Sequence, residues 1–419
     1  MRKSGRRFFA LVLLCAVCSP SPAQKLALLA VHLDTSRTGP VIDRNFFGPF
    51  AEHLGSGIYG GVWAGKDSAI ANVCGIRSDV VTALRALQVP NVRRPGGCYA
   101  DEYQWRDGIG PESSGKATVN TNWGGAAKTN HFGSGEFMDF INPIGSEAYV
   151  SVNVGSGSAR EPAEWTEYLT AAATTSAGRE RAANGHPEPY RVKFLGIGNE
   201  SWGCGGAMSA DSYVNQMRVY SRFVHNYNPV QSGDQSMRRI AVGADGAKSD
   251  CDEAVMKAWH GKDWSWDLQA LCLHSYSTAG SPPAHPSTGF GESEYAQLLN
   301  DTLKMQGLIS VHSALMDRYD PKKKIALAVD ERGVWLAPTP GTHPSLLVQQ
   351  NSLRDAILAG LNLNAHAARA EVLTAPQVDS VNSFAQPDQV VPTAIVGEII
   401  QGRLLITLPV KSIAVLQIN

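Results

Sequence analysis

The 419-residue sequence lacks several features that would assign it to particular classes of protein. Its formal net charge is only −1, from 37 Lys and Arg against 38 Asp and Glu, so nothing favours a polyanionic partner such as nucleic acid. Of its seven cysteines, the five beyond residue 23 form no CxxC pair, so no metal site of the zinc type is expected. There is no internal repeat, and beyond residue 23 no apolar run approaches the ~20 residues that span a bilayer.

The N-terminus has the composition of a secretory signal peptide. Four basic residues lie within positions 2–7, a short apolar run follows at 8–18, and small residues occupy 21–23. The run is far shorter than the ~20 residues of a membrane anchor, which is the alternative interpretation. The pattern predicts cleavage after Ala23 and a secreted or periplasmic protein that has no membrane attachment after processing.

The cysteines that would remain after cleavage form an odd set, so at least one must be free or paired between chains. They are Cys74, Cys98, Cys204, Cys251 and Cys272. An oxidising compartment permits disulfides, but a chain of this length does not need them for stability.

Short apolar runs alternate with longer helical patterns along most of the chain. The candidate strands are 46–54, 89–95, 148–154, 192–197, 239–244, 268–274 and 325–329, and the candidate helices are 78–87, 209–227, 293–319 and 344–370. Regular alternation of this kind predicts a parallel sheet, and seven units indicate an α/β fold of the (β/α)₈ TIM-barrel type rather than a doubly wound sheet. A GxGxxG spacing at 55–60 lacks a strand-to-helix context and is interpreted as a loop.

The two ends of the chain have a different pattern. Residues 25–34 are predicted to form a strand, and the tail is predicted to form short strands at 394–399, 403–408 and 412–418. Together these segments indicate a small all-β domain formed from both chain ends. Two stretches, 174–187 and 275–292, are expected to be loops, and the second is long enough to suggest a functional one.

Two of the candidate barrel strands end in a glutamate. Glu200 follows the fourth strand and Glu331 follows the seventh. Catalytic groups of TIM barrels lie at the carboxyl ends of the strands, and these two strands face one another across the barrel. A single glutamate in such a place is more often part of a salt bridge or a helix cap, but a pair can flank one glycosidic bond. Retaining glycosidases hold the two carboxyls about 5–5.5 Å apart and inverting ones about 6.5–9.5 Å apart.

Polar and aromatic residues close to the two glutamates favour a carbohydrate site. Asn199 is suited to donate to a sugar hydroxyl beside the reacting carbon, and Trp202 and Trp335 offer apolar faces for sugar rings. His274 and Tyr276, at the end of the sixth strand, are expected to orient the seventh-strand glutamate. Taken alone, each could equally be a loop residue whose polar groups are satisfied.

The ends of the first two strands add a carboxylate and an arginine. Glu52 is suited to bind two sugar hydroxyls, although a structural ion pair is the alternative. Arg94 precedes a Pro-Gly-Gly turn whose glycines permit close backbone approach. An arginine at that depth often pairs with a catalytic carboxylate and keeps it ionised, so Arg94 is expected to lie beside Glu331.

As a set, these motifs resemble those of the α-L-arabinofuranosidases of glycoside hydrolase family 51. The matching segments are FGPFAEHL at 47–54, RPGG at 94–97, YQWRDGIGP at 103–111, NHFG at 130–133, GNESWGCGG at 198–206, HSY at 274–276 and DE at 330–331. The resemblance extends from about residue 26 to about residue 370. It implies a barrel plus a β-sandwich built from both chain ends, a retaining double displacement, no cofactor and often a homo-oligomer.

The resemblance also implies substrates and roles. The substrates would be terminal arabinofuranosyl groups of arabinan, arabinoxylan or arabino-oligosaccharides. Residue by residue, Glu200 matches the acid/base and Glu331 the nucleophile, while Glu52, Asn199 and Tyr276 match sugar contacts and His274 lies beside them.

The chain departs from the family pattern at three places. Cys98 stands where many relatives have Asn and is expected to contact substrate through its backbone. Arg332 stands where relatives usually have Trp, and strand alternation predicts that it points away from Glu331 and alters the wall of the site. Residues 371–376 already resemble a late piece of the sandwich, so the eighth strand, with its sugar-binding glutamine, and much of the sandwich are predicted to be missing.

The expected organisation is therefore a signal peptide at 1–23, an N-terminal strand of the β-domain at 24–45, the barrel at 46–371 and a remnant of the sandwich at 372–419. Two other functions stay open. One is an inactive or merely sugar-binding remnant of such an enzyme, and the other is a related xylosidase or endoglucanase.

Overall fold

The structure is a computed structural model. It describes residues 27–31, 43–280, 285–343, 347–363, 371–374, 379–383, 386, 389–394, 398–400, 403–408 and 412–415. The predicted signal peptide at 1–23 lies outside the described residues.

The described part of the chain alternates strands and helices through its central region and ends in short strands. The strands are β1 (Ala27–Val31), β2 (Asn72–Val73), β3 (Ile76–Arg77), β4 (Asn91–Arg94), β5 (Thr118–Asn120), β6 (Ala126–Lys128), β7 (Glu147–Val152), β8 (Val192–Ile197), β9 (Arg238–Asp245), β10 (Ala270–Ser277), β11 (Ala326–Val334), β12 (Glu371–Thr374), β13 (Pro392–Ala394), β14 (Glu398–Ile400), β15 (Arg403–Leu408) and β16 (Ser412–Val415). The α-helices are α1 (Ser78–Ala86), α2 (Ser134–Ile144), α3 (Arg160–Thr170), α4 (Ser176–Ala183), α5 (Ala210–Phe223), α6 (Asp250–His260), α7 (Glu292–Thr302), α8 (Lys304–Tyr319) and α9 (Leu353–Leu363). Short 3₁₀ helices are found at Arg44–Phe47, Cys98–Asp101, Trp105–Gly108, Glu112–Ser114 and Gly233–Gln235.

Six parallel strands form the central sheet, in the order β4, β7, β8, β9, β10, β11. A seventh segment lies beside β4, where Phe50 bridges Arg93 in parallel and the backbone exchanges two hydrogen bonds with it. Within this sheet, β4, β7, β8 and β10 are almost continuously buried, as expected for a parallel sheet covered by helices. The predicted α/β barrel fold is therefore confirmed.

Local sequence explains where the helices begin. Ser209 accepts a hydrogen bond from the backbone N–H of Ser212 at the start of α5, and Thr175 does the same for Gly178 at the start of α4. The prediction of a loop at 174–187 was wrong, because this cap starts a helix whose sequence carries no apolar stripe. No helix among the described residues is both long enough and apolar enough to cross a bilayer.

Three other predicted elements differ from the structure. The first strand, predicted at 46–54, is reduced to the single bridge at Phe50, because a 3₁₀ helix ends at Phe47 and Pro49 has no N–H to donate. The helix predicted at 293–319 is two helices, α7 and α8, separated at Leu303. Of the helix predicted at 344–370, only α9 is observed, and residues 344–346 and 364–370 lie outside the described residues.

The two chain ends meet in small antiparallel sheets. β1 pairs with β15, which also pairs with β14, so N-terminal and C-terminal segments share one sheet. β12 pairs with β13 and β16 in another. Residues Glu371–Thr374 therefore belong to this β-region and do not supply a barrel strand.

The barrel has a gap between β11 and the segment around Phe50. No further parallel strand fills this place within the described residues. The exposure of β11 is consistent with an edge strand, because only Val329 and Glu331 are buried in it. A cavity of about 210 Å³ lies below, lined by both sides of the gap.

Arg332 spans the gap. Its guanidinium donates to the carbonyl oxygens of Val329, at 2.7 Å, and Phe46, at 2.5 Å, and lies over the Phe46 ring at 4.7 Å. The side chain thus links the end of β11 to the segment that opens the barrel. Its position also gives it a place in the wall of a cavity of about 500 Å³ at the carboxyl end of the sheet.

Replacing this cross-gap link should destabilise the fold. We expect Arg332→Ala to lower the free energy of unfolding by roughly 2 kcal/mol, because two hydrogen bonds from a charged group and a cation–π contact are lost. Thermal unfolding measures the change. The matched control is Arg160→Ala, because the Arg160 side chain is 84% exposed and forms a surface ion pair with Glu164. Equal melting temperatures for the two variants would contradict a role for Arg332 in holding the gap.

Candidate active site

The two predicted catalytic glutamates meet at the carboxyl end of the barrel. Glu200 lies three residues after the end of β8, and Glu331 lies within β11. A carboxyl oxygen of each lies within 4.8 Å of the other and of a ring nitrogen of His274. Glu331 is buried, and Glu200 is partly open to the cavity. The separation is short enough for the two groups to act on the same bond.

His274 lies between three carboxylates. Its Nδ1 is 2.9 Å from Glu200 Oε1 and 3.4 Å from Glu331 Oε2, while Nε2 is 3.1 Å from Asp330 Oδ1. Burial alone would lower the pKa of His274, but the charges of Glu331 and Asp330 outweigh it and raise the pKa well above its usual value. A protonated imidazole donates from Nδ1 to Glu200 and places a positive charge between the two glutamates and Asp330.

Arg93, and not Arg94, is the arginine beside Glu331. Its Nη1 donates to Glu331 Oε1 at 2.7 Å, Nη2 to Asn199 Oδ1 at 2.5 Å and Nε to Ser151 Oγ at 3.0 Å. Tyr276 donates its hydroxyl proton to the second oxygen, Oε2, at 2.8 Å. The carboxylate of Glu331 is therefore fixed on both oxygens.

The prediction for Arg94 was wrong because neighbouring strand residues point to opposite faces of the sheet. Arg93 points into the barrel, and Arg94 points outward to the helical layer. There Arg94 donates to the Tyr103 hydroxyl at 3.0 Å and to the Phe132 carbonyl at 2.8 Å, with its guanidinium over the Phe137 ring. The Arg94–Pro95 peptide bond that follows is cis.

Glu200 combines a perturbed carboxyl with an unusual backbone. Burial raises its pKa, the charge of Glu331 raises it further, and the hydrogen bond with His274 opposes the shift. Its φ of +39° lies in the left-handed region, which costs a residue other than glycine about 1–3 kcal/mol. The carbonyl of Glu200 accepts the N–H groups of Gly203 and Gly205, so the chain turns sharply just after it.

A disulfide joins Cys98 to Cys204 beside Glu200. Oε2 of Glu200 is 3.8 Å from the Cys98 sulfur and 3.3 Å from the Cys204 sulfur, and these are packing contacts because neither sulfur carries a proton. The sequence did not predict this pairing, although both cysteines lie within the motifs that carry the site. Cys98 lines the cavity, and its contact with substrate through the backbone stays a prediction.

Two further predicted sugar contacts have geometry suited to that role. Nδ2 of Asn199 is buried and has no hydrogen-bond partner in the described part of the chain. Glu52 uses one oxygen to accept from the Tyr99 N–H at 3.0 Å and from the Trp123 indole at 2.9 Å. Burial, followed by the charge of Glu331, raises the pKa of Glu52 to about 7.

The aromatic wall differs from the prediction. Trp335 and Trp123 line the cavity with ring centroids 6.0 Å apart, and Tyr276 packs edge-on against Trp335. Trp123 was missed by sequence reasoning, because it lies outside the barrel strands. Trp202 does not line the cavity: the turn after Glu200 directs its indole to the core, where it donates to the Gly243 carbonyl at 3.2 Å.

The cavity that holds these residues has a volume of about 500 Å³. It extends from the carboxylates past Arg332 toward α9, and so follows the gap in the barrel. Within the described residues, groups with metal-ligand spacing are found at the cavity or beneath it, such as Cys272, His274 and Asp330. They belong to the carboxylate–histidine network already described, in which the Tyr149 hydroxyl also donates to Asp330 at 2.7 Å.

Comparisons with known proteins point in one direction. A family profile described as "Alpha-L-arabinofuranosidase 1 domain" matches residues 83–280. A protein of Bacteroides ovatus described as an intracellular exo-alpha-L-arabinofuranosidase is 42% identical over 82% of this chain and 64% of its own length. A probable alpha-L-arabinofuranosidase C of Aspergillus fumigatus is 33% identical over 54% of this chain and 43% of its own length. The chain thus spans 64% and 43% of the lengths of these two relatives.

The Bacteroides relative contradicts the predicted location. That protein is described as intracellular, so the prediction of a secreted or periplasmic protein was wrong. The prediction depended on the composition of residues 1–23 alone, which lie outside the described residues.

This chain superposes on nearly the whole length of one solved structure. The family 51 arabinofuranosidase of Xanthomonas axonopodis pv. citri superposes with a TM-score of 0.81 and 35% identity, over 90% of this chain and 97% of that one. By fold, sequence and site, the chain belongs to glycoside hydrolase family 51, the family of the Xanthomonas arabinofuranosidase.

Proposed function

We propose that this chain is a retaining exo-α-L-arabinofuranosidase with Glu200 as acid/base and Glu331 as nucleophile. The observation that carries the proposal is the approach of the two carboxyls to within 4.8 Å at the barrel mouth. Retaining enzymes need about 5–5.5 Å, whereas a water molecule between the groups would need about 6.5–9.5 Å. The domain organisation expected from the sequence is part of the same proposal, with a catalytic barrel at 46–371 and β-segments at 24–45 and 372–419.

In the first step, Glu331 attacks the anomeric carbon while Glu200 gives its proton to the leaving oxygen. Arg93 and Tyr276 hold the two oxygens of Glu331 in place, so little reorganisation is needed as the new bond forms. Burial and the charge of Glu331 raise the pKa of Glu200, so this carboxyl carries the proton that the leaving group needs.

In the second step, a water molecule attacks the arabinosyl ester and Glu200 takes its proton. Once Glu331 is esterified its negative charge is gone, and the pKa of Glu200 falls to a value suited to a base. Product release then leaves both carboxyls as they were. The sugar hydroxyls are bound by Glu52 and by Nδ2 of Asn199, which has no partner among the residues that the structure describes.

The proposed substrates are terminal arabinofuranosyl groups of arabinan, arabinoxylan or arabino-oligosaccharides. The names of the Bacteroides and Xanthomonas relatives support this substrate class. Trp123 and Trp335 offer faces for the next sugar of a chain. A homo-oligomer, expected from the family resemblance, is also proposed and is measured by sedimentation velocity.

The experiment compares hydrolysis of p-nitrophenyl α-L-arabinofuranoside and p-nitrophenyl β-D-xyloside and follows the product by NMR. We expect turnover of the arabinoside and first release of the α-anomer. Preferred turnover of the xyloside would move the specificity to a related glycosidase. A cooperative thermal transition without turnover would support the alternative of an inactive or sugar-binding remnant, which is favoured only by the gap in the barrel.

Substitution of the two glutamates should give different patterns. Glu331→Ala is expected to lose more than about 10⁴-fold in kcat on every substrate, because no ester forms. Glu200→Ala should lose about 10²–10⁴-fold in kcat on arabinobiose. The loss should be smallest in the bond-breaking step of substrates with good leaving groups, because these need little protonation. Steady-state and burst kinetics measure both. The same leaving-group dependence in the two variants would mean that the roles are misassigned.

The raised pKa of Glu200 predicts a basic limb in the pH profile. Glu200 must be protonated for the first step, so kcat/KM falls as pH rises through its pKa, which lies above that of an ordinary carboxyl. A profile on arabinobiose with no fall between about pH 5 and pH 8 would contradict the assignment.

A second carboxyl in the cavity supplies the control for this profile. The pKa of Glu52 is raised to about 7, so it could also titrate in this range. Glu52→Gln keeps its shape and removes its titration. If the basic limb belongs to Glu200, it persists in Glu52→Gln and disappears in Glu200→Ala on an activated substrate.

A further inference from the structure

Asp101 connects the ends of three neighbouring barrel strands. It lies at the end of the 3₁₀ helix Cys98–Asp101, which follows β4, and is 2% exposed. Its Oδ1 accepts the N–H groups of Val154, at 2.6 Å, and Gly155, at 2.8 Å, which follow β7. Its Oδ2 accepts the N–H of Asn199, at 2.8 Å, which follows β8. One buried carboxylate thus holds both segments against the 3₁₀ helix.

The segment held by Oδ2 carries Glu200. Asn199 immediately precedes this residue, whose φ of +39° is one that residues other than glycine rarely adopt. A backbone in such a conformation persists only when its surroundings fix it. The hydrogen bond from Asn199 to Asp101 fixes the chain on the upstream side of Glu200.

The downstream side is packed against the same carboxylate. A β-carbon added at Gly205 would lie 2.7 Å from Asp101 Oδ2 and 1.7 Å from the Asn199 carbonyl oxygen. The turn from Asn199 to Gly205 therefore closes directly over Asp101. The disulfide from Cys98, at the start of the same 3₁₀ helix, attaches this turn a second time at Cys204.

Asp101 itself does not line the catalytic cavity. Its two oxygens are occupied by three backbone N–H groups, which leaves it no part in proton transfer. Burial raises its pKa to about 7, and the three hydrogen bonds oppose this shift by stabilising the charged form.

We propose that Asp101 is a positioning residue that holds the backbone of Asn199 and thereby aims the carboxyl of Glu200 at the leaving oxygen. The inference rests on the proposed role of Glu200 as acid/base. Asparagine at this position would replace one acceptor with an N–H₂ group that opposes a backbone N–H. Glu200 would then lose its alignment, while Glu331, held from other strands by Arg93 and Tyr276, would keep its own.

The test is a leaving-group comparison in Asp101→Asn. A displaced acid slows substrates that need protonation and spares those that do not. We expect kcat/KM to fall by about 10–100-fold on arabinobiose but less than about threefold on p-nitrophenyl α-L-arabinofuranoside, because a misplacement of about 1 Å can cost 10²-fold. KM for the activated substrate should stay unchanged.

Asp320→Asn is the matched control. Asp320 is also buried, at 4% exposure, and its Oδ2 accepts the backbone N–H of Ile325 at 2.7 Å, but it precedes β11 at the opposite end of the barrel. Both variants should melt at a lower temperature than the parent. A merely structural role predicts the same ratio of the two kcat/KM values in Asp101→Asn, Asp320→Asn and the parent, and that result would overturn the proposal.

Two further outcomes are distinguishable. If Asp101→Asn does not fold, Asp101→Ser is measured on the same pair of substrates. If neither Asp101 variant folds while Asp320→Asn does, the positioning role is also overturned, because the carboxylate would then be a requirement of the fold. If the parent enzyme hydrolyses neither substrate, the proposed function fails and not the role of Asp101.

Discussion

The buried guanidinium of Arg93 is the interaction on which the catalytic end of the barrel depends. Its side chain is 3% exposed, and a charge at such a depth is tolerated only with partners. Those partners come from β7, from Asn199 two residues after β8 and from β11, so one side chain of β4 joins four parts of the sheet. Because β4 and β11 lie near opposite edges of the sheet, the bond to Glu331 also ties the two sides of the gap together above the cavity.

This arrangement explains how an open barrel can keep a well-formed site. No strand of the described residues fills the gap, and there β11 is more exposed than its neighbours and space remains below the carboxylates. Three contacts nevertheless fix the end of β11: Arg93 on Glu331, Tyr276 on the same carboxylate, and Arg332 on the Phe46 carbonyl. The site is held together by polar contacts between strand ends, and these contacts do not require that every strand of the barrel has a neighbour on both sides.

Much of the site could be predicted because chemistry in this fold lies where apolar strands stop. Glu200, Glu331, Glu52, His274 and Tyr276 each follow or end such a run, and the structure brings all five to one cavity or to its floor. The prediction that Arg94 lies beside Glu331 failed because it depends on which residue of β4 faces inward. Two adjacent arginines do not indicate which of them points into the barrel.

Other features depend on tertiary structure that a single sequence does not encode in a readable way. The left-handed backbone at Glu200 turns Trp202 to the core, and no local sequence pattern predicts that conformation. The disulfide joins residues 106 positions apart, and Trp123 reaches the cavity from a loop outside the strands. Asp101 was missed because a lone aspartate in a short 3₁₀ helix has no distinguishing spacing.

The central claim is that Glu331 forms a covalent bond with the sugar while Glu200 handles the proton. Trapping the intermediate tests it most directly. Glu200→Ala is incubated with an activated α-L-arabinofuranoside, quenched in acid and digested, and the peptides are analysed by mass spectrometry. The account predicts that the peptide containing Glu331 gains the mass of one pentosyl residue and that fragmentation places it on that side chain. An adduct on another residue, or rapid release of the leaving group with no adduct at all, would contradict it.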